Sequence, residues 1–270
     1  MDAPQTHVDF QAGRAKALTR LWILSKKELW SYFTNPTSWL ILFFFYLYRG
    51  VETYNLVFHL RDGGDADMFG MQYLAGSSTY WAVVLLPSLL TMKTFAEEKR
   101  TGSLELLMSS PIQDHEVVLG KYLGSLLFFA FLWLPTLVLL LILQSPLFLD
   151  VDLSLTQVLV GYFGLFLLGS LLISVGVFTS SLTDNQLLAS LASMLAAYAL
   201  LVFPPQLAAG QTTVDSGILP IVIEQISVIH HLGSWFFRGL IDTGHVFFYV
   251  STTLLFLFLT TRVVESRKWR

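Results

Sequence analysis

Four places in this chain have residues whose types and spacing could do chemistry. Gly120-Lys121 is its single Gly-Lys step. A phosphate cradle needs a glycine-rich loop whose backbone amides surround the phosphates, in the spacing G-x-x-x-x-G-K-[ST]. No such loop precedes Lys121 and Tyr122 follows it, so the sequence predicts no ATP hydrolysis by this chain alone. His230-His231 is the one adjacent histidine pair. Neighbours on a helix diverge by about 100° at 3.6 residues per turn, so one metal ion rarely takes both. Glu224 is near, but the spacing of a ligand motif such as H-E-x-x-H is missing, and polar packing towards the outer side is the better reading. No nucleophile motif marks a Ser-His-Asp set. The absence of cysteine excludes a disulfide, a thiolate nucleophile and a Cys-based metal site.

The third place is Arg49 and Glu52, three residues apart on one helical face. They read either as a local ion pair near the headgroups or as a contact to something crossing the membrane, because ionisable groups at membrane depth are costly and tend to be functional. Arg238 and Asp242 are the matching polar candidates near the last apolar run, on the outer face or along a pathway. The fourth place is EEKRTGSLELLMSSPI, Glu97–Ile112, the most densely charged stretch of the chain. Glu97, Glu98, Lys99 and Arg100 continue a helix, Thr101-Gly102 breaks it, and Ser103–Met108 resumes it with Leu104, Leu107 and Met108 apolar. Ser109-Ser110-Pro111 stops it again. Asp114 and Glu116 then enrich the first turn of the next helix, as the dipole prefers. A solvated loop has no need of Leu104, Leu106, Leu107 and Met108, whereas a helix docking a cytoplasmic partner does. The alternative is that these side chains lie on the membrane or on the protein's own helices.

The elements that must hold these groups are membrane-grade. Of 270 residues, 54% are hydrophobic and 13% charged, against roughly a quarter charged in a soluble domain. The uncharged runs Met68–Met92, Tyr122–Leu149, Leu153–Thr183 and Asn185–Val214 each exceed the ~20 residues that a spanning helix needs. Ser31–Tyr48 and Thr243–Thr261 come near it. The expected fold is all-α and polytopic, a single permease-like unit over 1–270 with six spans at about 37–59, 71–93, 115–145, 155–182, 185–204 and 244–263. Small residues of the fourth span (Gly161, Gly164, Gly169, Ser170, Ser174, Gly176) read as close-packing faces. The segment 217–243 is interrupted by Gly217, Pro220, Gly233 and Gly239 and reads as re-entrant half-helices on the outer side, allowed where they pack against protein.

Thirteen of the sixteen lysines and arginines fall in the N-terminal segment, in the second-to-third connection (93–113) with Lys121 just inside the next helix, and at the C-terminus. By the positive-inside bias both termini and the charged hinge are cytoplasmic. The chain starts without the short apolar core and cleavage site of a signal peptide, so the first span is expected to act as its own insertion signal. Within 14–35, Leu18, Leu21, Trp22, Leu29, Trp30 and Phe33 recur at helical spacing among basic residues. That pattern is a basic amphipathic helix lying in the interface, or an extension of the first span, and Asn35-Pro36 ends it because the residue before proline resists the α conformation.

The run TFAEEKRTGSLELLMSSPIQDHEVVLGKYLGSLL resembles the first cytoplasmic loop of type-2 ABC transporter permeases. SKKELWSYFTNPTSWL is similar to their amphipathic entry helix, TSSLTDNQLLASL to their fourth-to-fifth turn, and FFRGLIDTGHVFFYVS to their Arg-Gly-[VLI]-Ile-Asp segment. The small six-span branch, such as gliding-motility and copper-enzyme-maturation permeases, resembles it most. The resemblance implies the membrane subunit of an ATP-driven exporter in the bacterial inner membrane. It implies a second permease subunit, two copies of a cytoplasmic ABC ATPase that bind ATP and Mg in this chain's stead, and no nucleic-acid partner. Gly102 to Ser110 would be the coupling helix, with Glu97, Glu98, Arg100, Gly102, Leu104, Glu105, Leu107 and Met108 as its ATPase-facing or bracing residues. The pathway would lie at the dimer interface, faced by the first, second and fifth helices. A rival is a mechanical subunit that relays ATPase motion to periplasmic partners; another, an intramembrane enzyme, would need a mid-membrane polar cluster that the sequence lacks.

Overall fold

The computed structural model describes residues 5–61, 72–103, 113–143, 154–209 and 227–266, and every regular element among them is a helix. In chain order these are α1 (Gln5–Thr34), α2 (Pro36–Arg61), α3 (Ser77–Thr91), α4 (Ala96–Thr101) and α5 (Asp114–Leu143). They continue with α6 (Leu155–Leu182), α7 (Gln186–Ala209), α8 (Val228–Ser234), a 3-10 turn (Phe236–Arg238) and α9 (Thr243–Ser266).

Only Asn35 separates α1 from α2. Pro36 takes the first position of α2, where its missing N–H costs nothing, and Asn35 Oδ1 accepts from Thr37 N at 3.0 Å as an N-cap. The entry helix is therefore an element separate from α2. It also starts earlier than its apolar pattern, at Gln5, because Gln, Ala, Arg and Lys are good helix formers and carry the helix beyond the periodic stretch.

Among the described residues, four helices are long and apolar enough to cross a membrane: α5, α6, α7 over Gln186–Pro204, and α9. The two other predicted spans depart from that standard for different reasons. α2 is 26 residues long but holds Arg49, Glu52 and Arg61. The segment predicted at 71–93 is helical at 72–75, bends at Gly76 and resumes as the 15-residue α3.

α6 is the centre of the bundle. It is the most buried of the four long apolar helices and packs on α9, α7, α3, α5 and the 3-10 turn. Its small residues permit this. A Cβ at Gly161 or Gly164 would lie 2.7 Å from Leu74 Cδ1 or Phe236 Cγ, closer than atoms tolerate, so the stripe read from the sequence is a set of contact points. α8 and the 3-10 turn press inward on this helix: Val228, Leu232, Phe236 and Phe237 are all buried, and Gln157 Nε2 donates to Phe237 O at 2.8 Å. This is the described part of the predicted re-entrant segment; 217–226 lies outside the described residues. Large apolar side chains on the outside of the bundle, such as Leu187, Leu195, Phe247 and Leu254, are exposed, as expected of helices facing hydrocarbon.

Candidate functional site

The charged hinge sits where three helices meet. α4 ends at Gly102, whose φ of 72° is left-handed and whose N–H donates to Lys99 O. Glycine adopts that conformation without a Cβ penalty, so the break at Thr101-Gly102 has a backbone cause. The start of α4 lacks a side-chain cap of its own. Instead Ser180 Oγ, from the C-terminal end of α6, accepts from both Phe95 N and Ala96 N at 3.1 Å. Lys99 Nζ donates to the neighbouring Ser181 carbonyl. The Ser180-Ser181 step at the end of the fourth predicted span thus grips the hinge. Ser180→Ala is expected to destabilise the chain by about 1 kcal/mol, the usual cost of losing a cap, read as a lower midpoint of thermal unfolding.

Lys121 is the hub. Its side chain is buried in the second turn of α5. Its ammonium donates to Glu98 Oε1 at 2.7 Å and to Thr94 O at 2.7 Å, and lies 3.5 Å from Glu28 Oε2 on α1. The Phe95 ring is 5.3 Å from the same nitrogen, within cation–π range. Burial pushes the Glu28 carboxyl up from its ordinary value, with Lys121 pulling it back down and Glu98 pushing it further up. One ammonium thus serves two carboxylates from two other elements.

α1 reaches this hub by close approach. Gly120 and Gly124, four apart, form a one-sided glycine face on α5. A Cβ at Gly120 would fall 2.6 Å from Leu24 Cβ, and one at Gly124 would fall 2.6 Å from Glu28 Cβ and 3.0 Å from Ser25 O. The Tyr32 hydroxyl extends the joint, donating to Leu90 O at 3.0 Å and meeting Ser125 Oγ at 2.8 Å. The Tyr32 ring stacks on Phe128 with centroids 4.8 Å apart. Further along, Arg20 Nη2 pairs with Glu116 Oε1 at 3.1 Å.

Among the predicted hinge residues, Glu98 stands in this network and Gly102 terminates α4. Glu97 is half-buried and Arg100 exposed; no ion pair of either with α1 occurs among the described residues. Leu104, Glu105, Leu107 and Met108 lie outside the described residues. Sequence reading passed over Lys121, Glu28, Ser180 and Tyr32 as site residues. The available signal was Lys121 itself, a lysine at the mouth of an apolar run, where a buried charge requires partners.

The polar residues expected on the outer side do not form one site. Arg49 is 2% exposed. Its guanidinium donates to Glu52 Oε2 at 2.6 Å, Thr79 Oγ1 at 3.0 Å and Tyr73 O at 3.3 Å, and stacks 4.1 Å from the Tyr73 ring. Ser78 Oγ donates to Glu52 Oε1. The pair therefore clasps α2 to the start of α3. Asp242 Oδ1 caps α9 through Gly244 N at 2.9 Å, with His245 3.7 Å from its other oxygen, and Arg238 is exposed. His231 is fully buried and stacks on His245 with ring centroids 3.9 Å apart. Among the described residues no group of three or more His, Cys, Asp or Glu could hold a metal ion.

A search among curated proteins finds none that matches this chain. Residues 22–264 match the family model described as ABC-2 family transporter protein, a stretch that takes in the second half of α1, the hinge, the Lys121 hub and all of the described helices up to the last turn of α9, and the chain belongs to that family.

Proposed function

We propose that this chain, a multi-pass membrane subunit of an ABC transporter, drives export by transmitting ATP hydrolysis from a separate cytoplasmic ATPase through the hinge at 93–113. ATP and Mg are bound by that partner, in two copies, and a second permease subunit completes the pathway. α2 and the 72–91 region complete six spans, with both termini in the bacterial cytoplasm. Support for α2 as a span comes from Arg49: its guanidinium is neutralised and hydrogen-bonded within the protein, which lowers the cost of carrying a charge at membrane depth.

The observation that carries the reading is the Lys121 hub. A push on the hinge enters α4, and α4 is tied to α1 and α5 through Lys121 and to α6 through Ser180 and Ser181. Force applied at one loop thereby reaches three helices at once. Such a device needs two discrete arrangements that nucleotide biases differently.

The test is co-purification with a co-expressed cognate ABC ATPase, comparing wild type with Leu104→Asp/Leu107→Asp. The wild type is expected to retain the ATPase and the double variant to lose it while still inserting and eluting as a single species. Retention by the folded variant would assign those leucines to packing against the bilayer or the protein itself and would end the docking assignment.

A further inference from the structure

A polar cavity of about 350 Å³ opens beside the Lys121 hub, bounded by the ends of α1, α2 and α3 and by α4. An apolar groove of about 390 Å³ runs between α2 and α3. Ile41 and Leu89 line both, so the two volumes adjoin at these side chains. We propose that together they bind a phospholipid with a primary ammonium head, its head in the polar cavity and one acyl chain in the groove. The proposal deepens the transport reading above and rests on its membrane orientation.

The groove has the form of a chain site. Its walls are almost entirely carbon, and Leu40, Phe44, Tyr48, Trp81 and Leu85 are exposed along it. From Leu40 to Tyr48 is eight residues, about 12 Å at 1.5 Å per residue, which is most of the ~15 Å hydrocarbon depth of one leaflet. Burying an apolar chain here yields little selectivity, since the chain leaves a solvent as apolar as the groove. Selectivity must come from the head.

The cavity offers three carboxylates, Glu28, Glu97 and Glu98, against two ammoniums, Lys93 and Lys121. Lys121 is consumed by Glu98, Glu28 and the Thr94 carbonyl. Glu98 Oε2 is buried and accepts no hydrogen bond, and no ion pair engages the Glu97 carboxylate among the described residues. These are two acceptors awaiting a cation. Lys93 spends one of its three N–H donors on Thr37 Oγ1, at 3.2 Å, and keeps the others for an anion. A zwitterion with its ammonium on Glu97 and Glu98 and its phosphate on Lys93 satisfies all three. A purely anionic head would place its charge against unneutralised carboxylates.

The experiment uses the permease–ATPase complex in phosphatidylcholine nanodiscs, doped with phosphatidylethanolamine or phosphatidylglycerol carrying the same diazirine-tailed chain. Photolabelled peptides spanning 40–48 and 81–89 are quantified by mass spectrometry. The phosphatidylethanolamine probe is expected to label these peptides several-fold more than the phosphatidylglycerol probe, and Glu97→Gln is expected to bring the two to parity. Equal labelling in wild type would overturn the proposal, leaving the groove to unselected annular chains. Absent labelling, together with disulfide trapping of Trp81→Cys copies in this cysteine-free chain, would overturn it in favour of a second copy covering the groove. Retention of the ATPase in the same samples reports on the coupling reading, so either idea can fail alone.

Discussion

Lys121→Met is expected to destabilise the chain by about 3–5 kcal/mol, the cost of breaking a buried ion pair by removing one partner. Methionine fills much of the same volume, so the loss is electrostatic in origin. Glu28 and Glu98 are left facing one another without a cation, and the Thr94 carbonyl loses its donor. The loss is expected to depend on pH in a defined direction. Burial and Glu98 already raise the Glu28 carboxyl above its ordinary value of 4.5, and Lys121 opposes them. Removing Lys121 takes that opposition away, so the folded-state carboxyl rises further above its unfolded value. A group raised in this way contributes its stability below the unfolded value and loses it as pH climbs through the folded one. The difference between variant and wild type is therefore expected to be smaller at about pH 5.5 than at about pH 7.5, as the Glu28 carboxyl takes up its proton. Thermal unfolding of the purified chain at both pH values checks this. The triple variant Lys121→Met/Glu28→Gln/Glu98→Gln is expected to recover much of the loss, because replacing a whole buried charge cluster is far cheaper than removing one member. A pH-independent loss that the glutamines do not relieve would assign Lys121 to packing alone.

That network also marks the boundary of what the sequence can tell. The helical class, the break at Thr101-Gly102 and the stop at Asn35-Pro36 are local properties. Glycine takes the left-handed φ at 102 whatever lies elsewhere in the chain, and proline at 36 restricts its neighbour in any context. Apolar length likewise marks α5, α6, α7 and α9. The hub depends on side chains 23 and 93 residues distant from Lys121, since Glu98 and Glu28 reach it from other elements. A periodic pattern shows which face of α1 is apolar, but it does not show that Glu28 lies over Gly124. The Arg49 pair divides in the same way. Its three-residue spacing foretold the bond to Glu52, whereas the Thr79 and Tyr73 partners depend on how α2 meets α3. Ser180 sits in a stretch legible as a polar turn, yet its bond to the amides of Phe95 and Ala96 exists only once α6 has been laid beside the hinge.

Gly124→Leu is expected to undock α1 from α5. At this position a Cβ alone would already press on the Cβ of Glu28 and the backbone oxygen of Ser25. The second contact matters more, because a backbone atom moves only if the helix moves. Overpacking costs about 1–3 kcal/mol, and a shift of that size in the docking equilibrium raises the undocked population roughly 5- to 150-fold. Ser25 supplies the reporter. It is 1% exposed, faces the joint and, among the described residues, bonds within its own helix, to Leu21 O at 2.9 Å. Because the chain has no cysteine, Ser25→Cys would be its single thiol. Maleimide labelling at that thiol is expected to be slow in the parent and faster by that factor in Gly124→Leu, with Gly124→Ala intermediate. The measurement separates two roles for an entry helix. A helix held chiefly by its exposed Leu18, Trp22, Ile23 and Trp30 on the bilayer would label alike with or without the leucine. A helix held by the glycine face of α5 must release Ser25 when that face is filled, and in doing so must also carry Glu28 away from Lys121.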